Sequence, residues 1–147
     1  MQTHIYISLS SKAPKVQDRV IGYLITADKR EYSIEDYTIV TASWQRAYLI
    51  ALNAALDRFN PSVPCEITIH MPDRGIVADF NKSLPNSWQP HAWQNKRNKE
   101  IRNRDQWQKL YNQTYMARRW RVEMIFDLHK YIGYMDQQME RADERAI

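Results

Sequence analysis

The feature that most constrains the fold is a run of three strand-like segments at the N-terminus, followed by a helix and then by alternating strand and helix segments. Residues 3–9 (THIYISL) carry apolar side chains at 5, 7 and 9, with an extra aromatic at 6. Residues 20–26 (VIGYLIT) are almost continuously apolar, the pattern of a strand buried on both faces. Ala27-Asp28-Lys29-Arg30 has turn character, and residues 31–40 hold enough Tyr, Ile and Val for a third strand. A helix follows, with Ser43 as its N-cap and Trp44, Ala47, Tyr48, Ala51, Ala55 and Leu56 on one face at 3.6 spacing. Asn60-Pro61-Ser62-Val63-Pro64 ends it.

The second half alternates. Residues 65–71 (CEITIHM) switch between apolar and polar as a fourth strand would. Pro72-Asp73 then opens a short helix reaching about Asn81. Residues 98–116 read as an amphipathic helix using Ile101, Trp107, Leu110 and Tyr111. Residues 121–128 (RVEMIFDL) read as a fifth strand and 135–147 as a final polar helix. The order βββ-α-β-α-α-β-α predicts an α/β domain spanning residues 1–147, with a mixed sheet flanked by helices. At 147 residues one core suffices.

Composition narrows the function classes. No apolar run approaches the roughly 20 residues of a membrane-spanning helix, and no signal peptide is visible. Cys65 is the single cysteine, which excludes an internal disulfide and suits a reducing, cytoplasmic setting. It reads as a small buried residue. His4, His70, His91 and His129 form no close-spaced pair, so no zinc pattern appears, and glycine-rich phosphate loops are missing too. The formal charge of +4 is uneven: residues 82–121 hold ten Lys/Arg against Glu100 and Asp105, a net of +8. That asymmetry suits either a polyanion partner or a solvated basic helix.

Three stretches carry a resemblance. Cys65-Glu66-Ile67-Thr68-Ile69-His70 precedes Pro72-Asp73, Asn103-Arg104-Asp105-Gln106-Trp107-Gln108-Lys109-Leu110 lies within the helix over 98–116, and Glu140-Arg141-Ala142-Asp143-Glu144 lies near the end. In this order and at these distances they resemble type 1 ribonuclease H along essentially the whole chain. The resemblance implies the RNase H-like fold, a five-stranded mixed sheet with three antiparallel strands and then parallel ones. It also implies two-metal hydrolysis of RNA in an RNA–DNA hybrid, with clustered carboxylates holding two Mg²⁺ about 4 Å apart. Against that pattern, the first Asp matches Ser8 in Ser8-Leu9-Ser10, the helix Glu matches Gln45, and the strand-four Asp falls at Pro72 with Asp73 one residue late. Asp143 matches the last Asp, and His129 lies near the family's mobile histidine. Asp143 and Asp73 are the candidate metal ligands. Each also has a plainer reading, Asp143 as a helix carboxylate paired with Lys or Arg and Asp73 as a helix cap. Neither Ser8 nor Gln45 supplies charge, so no cofactor is expected unless an active site persists, in which case it would be Mg²⁺ or Mn²⁺.

The resemblance also implies a basic, Trp-bearing grip on nucleic acid. Its counterpart here is Trp88, Trp93, Lys96, Arg97, Lys99, Arg102 and Arg104, which combine stacking planes with phosphate-binding cations. The leading expectation is a catalytically degenerate domain that binds hybrid or duplex, or a protein partner, without cleaving. One alternative is an active nuclease rebuilt from Asp73, Asp136, Glu140, Asp143 or Glu144. The other is a protein–protein scaffold using Trp88, Trp93 or tyrosine-rich surfaces.

Overall fold

The computed structural model describes residues 2–28, 33–82, 93–94, 102–115 and 119–146. Five strands, β1 (Gln2–Leu9), β2 (Gln17–Ala27), β3 (Ser33–Ala42), β4 (Cys65–Met71) and β5 (Trp120–Phe126), form one sheet in the order β3-β2-β1-β4-β5. β1, β2 and β3 pair antiparallel, whereas β4 runs parallel to both β1 and β5. The described helices are α1 (Trp44–Leu56), α2 (Arg74–Asn81), α3 (Arg104–Tyr115) and α4 (Ile132–Ala146). This is the expected mixed sheet.

The double-sided burial of β2 follows from its alternation. Ile21, Tyr23 and Ile25 join Ile5, Ile7, Leu9, Ile67, Ile69 and Met71 in the main core, under the buried face of α1. Val20 and Leu24 point the other way and meet Tyr6 of β1 with Met135 and Met139 of α4. Helix α4 packs over β1, β2 and β3 on that second face.

Helix starts follow local chemistry. Ser43 Oγ accepts from Arg46 N at the start of α1, and Asp73 Oδ2 accepts from Ile76 N at 3.0 Å at the start of α2. Several boundaries differ from expectation. β2 begins at Gln17 rather than 20, and β5 covers 120–126 rather than 121–128. β3 runs from Ser33 to Ala42, the expected 31–32 lying outside the described residues, and α4 starts at Ile132 rather than 135. Of the expected helix over 98–116, the described part runs from Arg104 to Tyr115, with 98–101 and 116 outside the described residues. Asn103, just before α3, has a left-handed φ of 60° and so stands outside the right-handed helix. Its carbonyl instead accepts from Gln106 N and Trp107 N and so starts α3.

Candidate nucleic-acid interface and carboxylate site

The residues matched to a metal site fall into two groups. Gln45, in the first turn of α1, reaches the start of α2, where its Nε2 lies 3.3 Å from where a Cβ on Gly75 would stand. Asp73 Oδ2 lies 3.7 Å from the same point. Asp73 is only 4% exposed, and burial pushes its carboxyl above the usual range, against the opposing pull of the Ile76 N–H. Pro72 before it is buried too. The second group lines a groove of about 440 Å³ between the end of β1 and α4, formed by Ser10, Asp136, Met139, Glu140 and Asp143. Asp136, Glu140 and Asp143 follow at i, i+4 and i+7 along one helix face. Ser8 is buried, pairs opposite Gly22, and is not among the groove residues. Its neighbour Ser10 is, with its hydroxyl accepting from Val20 N at 2.9 Å. Among the described residues no group of three or more His, Cys, Asp or Glu is arranged to hold a metal ion.

His129 is held at both ring nitrogens. Nε2 donates to the carbonyl of Ile7 at 2.9 Å and Nδ1 accepts from Tyr131 N at 3.3 Å. Burial keeps its pKa below the usual value, so the ring sits neutral between β1 and the loop before α4. Sequence reasoning missed Arg19, which is 2% exposed and donates to the carbonyls of Ser11, Ala13 and Lys15 at 2.7, 2.9 and 2.6 Å. It thereby shapes the loop that leaves the Ser8–Ser10 end of β1. An arginine in a strand gives no sequence signal of this kind.

Of the expected nucleic-acid contacts, Trp88, Lys96, Arg97 and Lys99 lie outside the described residues. Trp93 is not a surface stacking group. It is 6% exposed, belongs to the main core and meets the Tyr111 ring edge-on at 5.7 Å. With the Gln108 amide turned so that its oxygen faces them, Trp93 Nε1 and Arg104 Nε both donate to it at 3.1 Å. The apolar area of an indole exceeds what its one N–H can hold at the surface, so burial wins. Arg102 is exposed. The matched helix motif itself packs α3 on α1. Trp107 and Leu110 are buried, Arg46 Nη1 and Nη2 clasp both oxygens of Asp105 at 2.7 and 2.6 Å, and Asn53 donates to the Gln106 carbonyl at 3.0 Å.

The sheet also makes a cluster that sequence spacing hides. His4 and His70, far apart in the sequence, meet with Nδ1 and Nε2 3.0 Å apart. Parallel β1–β4 register sets Tyr6 opposite His70, so side chains of one face gather across 66 positions of sequence. Period-two spacing puts both histidines on polar strand positions, but only the register joins them.

No protein-family model and no curated protein matches the chain. Solved structures do. A foamy viral protease-reverse transcriptase in complex with dsDNA aligns over 96% of this chain and 92% of its own, at TM-score 0.69 and 14% identity. The chain has the ribonuclease H fold. The N-terminal RNase H domain of a Mycobacterium tuberculosis protein aligns over 99% of both chains, at TM-score 0.68 and 15% identity. LC11-RNase H1 in complex with an RNA/DNA hybrid aligns over 97% of this chain and 91% of its own, at TM-score 0.56 and 16% identity. Against a longer foamy viral protease-reverse transcriptase chain bound to RNA/DNA hybrid, this chain spans 19% of the length. No described helix is long and apolar enough to cross a membrane.

Proposed function

We propose that this RNase H-fold domain binds nucleic acid, as hybrid or duplex, through phosphate contacts and does not hydrolyse it. The observation that carries the reading is at the start of α2, where an uncharged amide, Gln45, and a buried carboxylate, Asp73, already used to cap Ile76 N, both lie beside Gly75. Two Mg²⁺ ions need several ionised oxygens converging on one point. The residues present do not fit that pair: Ser8 and Gln45 are neutral, and Asp73 is buried at the helix cap. Binding draws on a different property, the net +8 of residues 82–121, which the loss of carboxylates leaves intact. Arg102 is exposed within that stretch. Domains of the same fold have been solved with dsDNA and with RNA/DNA hybrid, which supports the reading.

A second reading has its own observation. Asp136, Glu140 and Asp143 share one groove with Ser10, an acidic set from which a metal-dependent nuclease site would be rebuilt. One experiment separates the two. The purified chain is incubated with labelled hybrid and duplex, with Mg²⁺ and with Mn²⁺. We expect retention of the nucleic acid without cleavage. Metal-dependent cleavage lost in Asp143→Asn overturns the proposal in favour of the nuclease. Absence of binding at ~50 mM salt, where phosphate contacts are strongest, leaves a protein–protein scaffold.

A further inference from the structure

We infer that His4 and His70 form a binding site for a Zn²⁺ or Cu²⁺ ion between their facing ring nitrogens, apart from the carboxylate positions discussed above. The argument begins with protons. A neutral imidazole carries one N–H and one lone pair. His70 Nδ1 lies 2.7 Å from Asp127 Oδ2, and His4 Nε2 lies 3.3 Å from Asp28 Oδ1. A carboxylate only accepts, so His70 Nδ1 holds its ring's proton and leaves Nε2 a lone pair, while the His4 proton sits either on Nε2 beside Asp28 or on Nδ1. The inner nitrogens, His4 Nδ1 and His70 Nε2, lie 3.0 Å apart, the distance of a hydrogen bond with His4 Nδ1–H as donor. With the His4 proton on Nε2, facing Asp28, both inner nitrogens offer lone pairs, and a metal ion takes the place of the shared proton.

The surroundings favour the metal. A carboxylate on the far nitrogen is what orients a metal-ligating histidine and makes its free nitrogen more basic. Here both rings have one, on strands and loops brought together by the sheet. Tyr6 stacks on His70 with ring centroids 4.3 Å apart and planes at 16°, which fixes the ring's tilt. Tetrahedral Zn²⁺ with bonds of about 2.0–2.1 Å separates two ligand nitrogens by about 3.3 Å, so the rings need to part by about 0.3 Å and turn until both lone pairs meet at one point. The side chains of His4 and His70 are 23% and 12% exposed, leaving an open side where water completes the coordination. No third protein ligand joins among the described residues, so the site is an open, two-histidine one. Imidazole nitrogen suits Cu²⁺ and Zn²⁺, in that order of affinity, whereas Mg²⁺ prefers oxygen.

The test uses the full chain, titrated calorimetrically with ZnCl2, CuCl2 and MgCl2 at about pH 8, where protons compete least for the ring nitrogens. We expect one equivalent of Zn²⁺ or Cu²⁺ to bind, Cu²⁺ more tightly, and Mg²⁺ not to bind at these nitrogens. The Cu²⁺ form should show coupling to two nitrogens by electron paramagnetic resonance. Asp127→Asn should weaken binding about 10–100-fold through the loss of the orienting carboxylate. His70→Gln and His4→Gln should each remove the two-nitrogen signal, with folding checked by circular dichroism. Should His70→Gln fail to fold, the more exposed His4→Gln alone decides. Wild-type protein that takes up neither ion at about 1 mM overturns the inference, as does binding unchanged in His4→Gln.

Discussion

Gly22 of β2 lies beneath the Tyr37 ring, and a Cβ there would stand 2.6 Å from Tyr37 Cδ1 and Cε1 and 3.4 Å from Met135 Cε. The ring cannot simply swing aside, because Tyr37 OH donates to Glu35 Oε2 at 2.8 Å while Tyr134 OH of α4 donates to Oε1 at 2.7 Å. Gly22→Ala should therefore cost about 1–3 kcal/mol by overpacking, read as a lower denaturation midpoint at unchanged slope. His129 gives a pH prediction. Its folded pKa is depressed by burial, so the folded state binds fewer protons than the unfolded one just below the ordinary histidine value. The stability it contributes is fully present above about 6.5 and is lost as pH falls through that value towards the lower folded pKa. Nuclear magnetic resonance should find the His129 ring titrating below about 6.5, and a ring titrating at or above that value would contradict the assignment.

At the scale of elements, α1 and α3 are joined by a core and a polar seam. Arg46 holds the Asp105 carboxyl down to about 2, chiefly by its hydrogen bonds. Lys109 Nζ meets Asp57 Oδ2 at 2.9 Å further along. Both partners of the Arg46–Asp105 pair are substantially exposed, so solvent screens it and its worth is at most about 1 kcal/mol despite bidentate geometry. A depressed carboxyl stabilises above its unfolded pKa, and that contribution disappears as pH falls from about 3.8 through about 2. A double-mutant cycle with Arg46→Gln and Asp105→Asn should show coupling at neutral pH that shrinks steadily as pH falls from about 3.8 to about 2; coupling unchanged over that range would refute it. The caps of α1 and α2 were readable from Ser43 and Asp73, since a side-chain oxygen before an apolar periodic run has one common use. The start of α3 was not. The periodicity of residues 98–116 continues past Asn103, and only its left-handed backbone reveals the break.

For the whole molecule the charge distribution matters more than any one residue. With +8 in residues 82–121 and −4 over the rest, a polyanion is drawn to that stretch of the chain. Each phosphate neutralised contributes about −0.9 to the slope of log K against log salt on double-stranded nucleic acid. Three or four contacts give a slope of about −3 or slightly steeper, with little sequence preference. Arg97→Glu with Lys99→Glu should remove most of the affinity while the thermal melt stays near that of wild type. A flat salt dependence would show that phosphates are not the ligand.

Element order, the two-sided burial of β2, the β4 boundaries and two helix caps were legible in the chain itself, because period and capping chemistry are local properties. That positions 8 and 45 carry no charge was legible too, since an absent charge is visible wherever the side chain points. Tertiary structure alone decided the rest. It buried Trp93 against Tyr111, turned Arg19 inward onto three loop carbonyls, and split the matched acids between the start of α2 and the groove under α4. It also brought His4 to His70. Such contacts depend on strand register and on which face each residue takes, and a one-residue slip would reverse every face, so no local pattern encodes them.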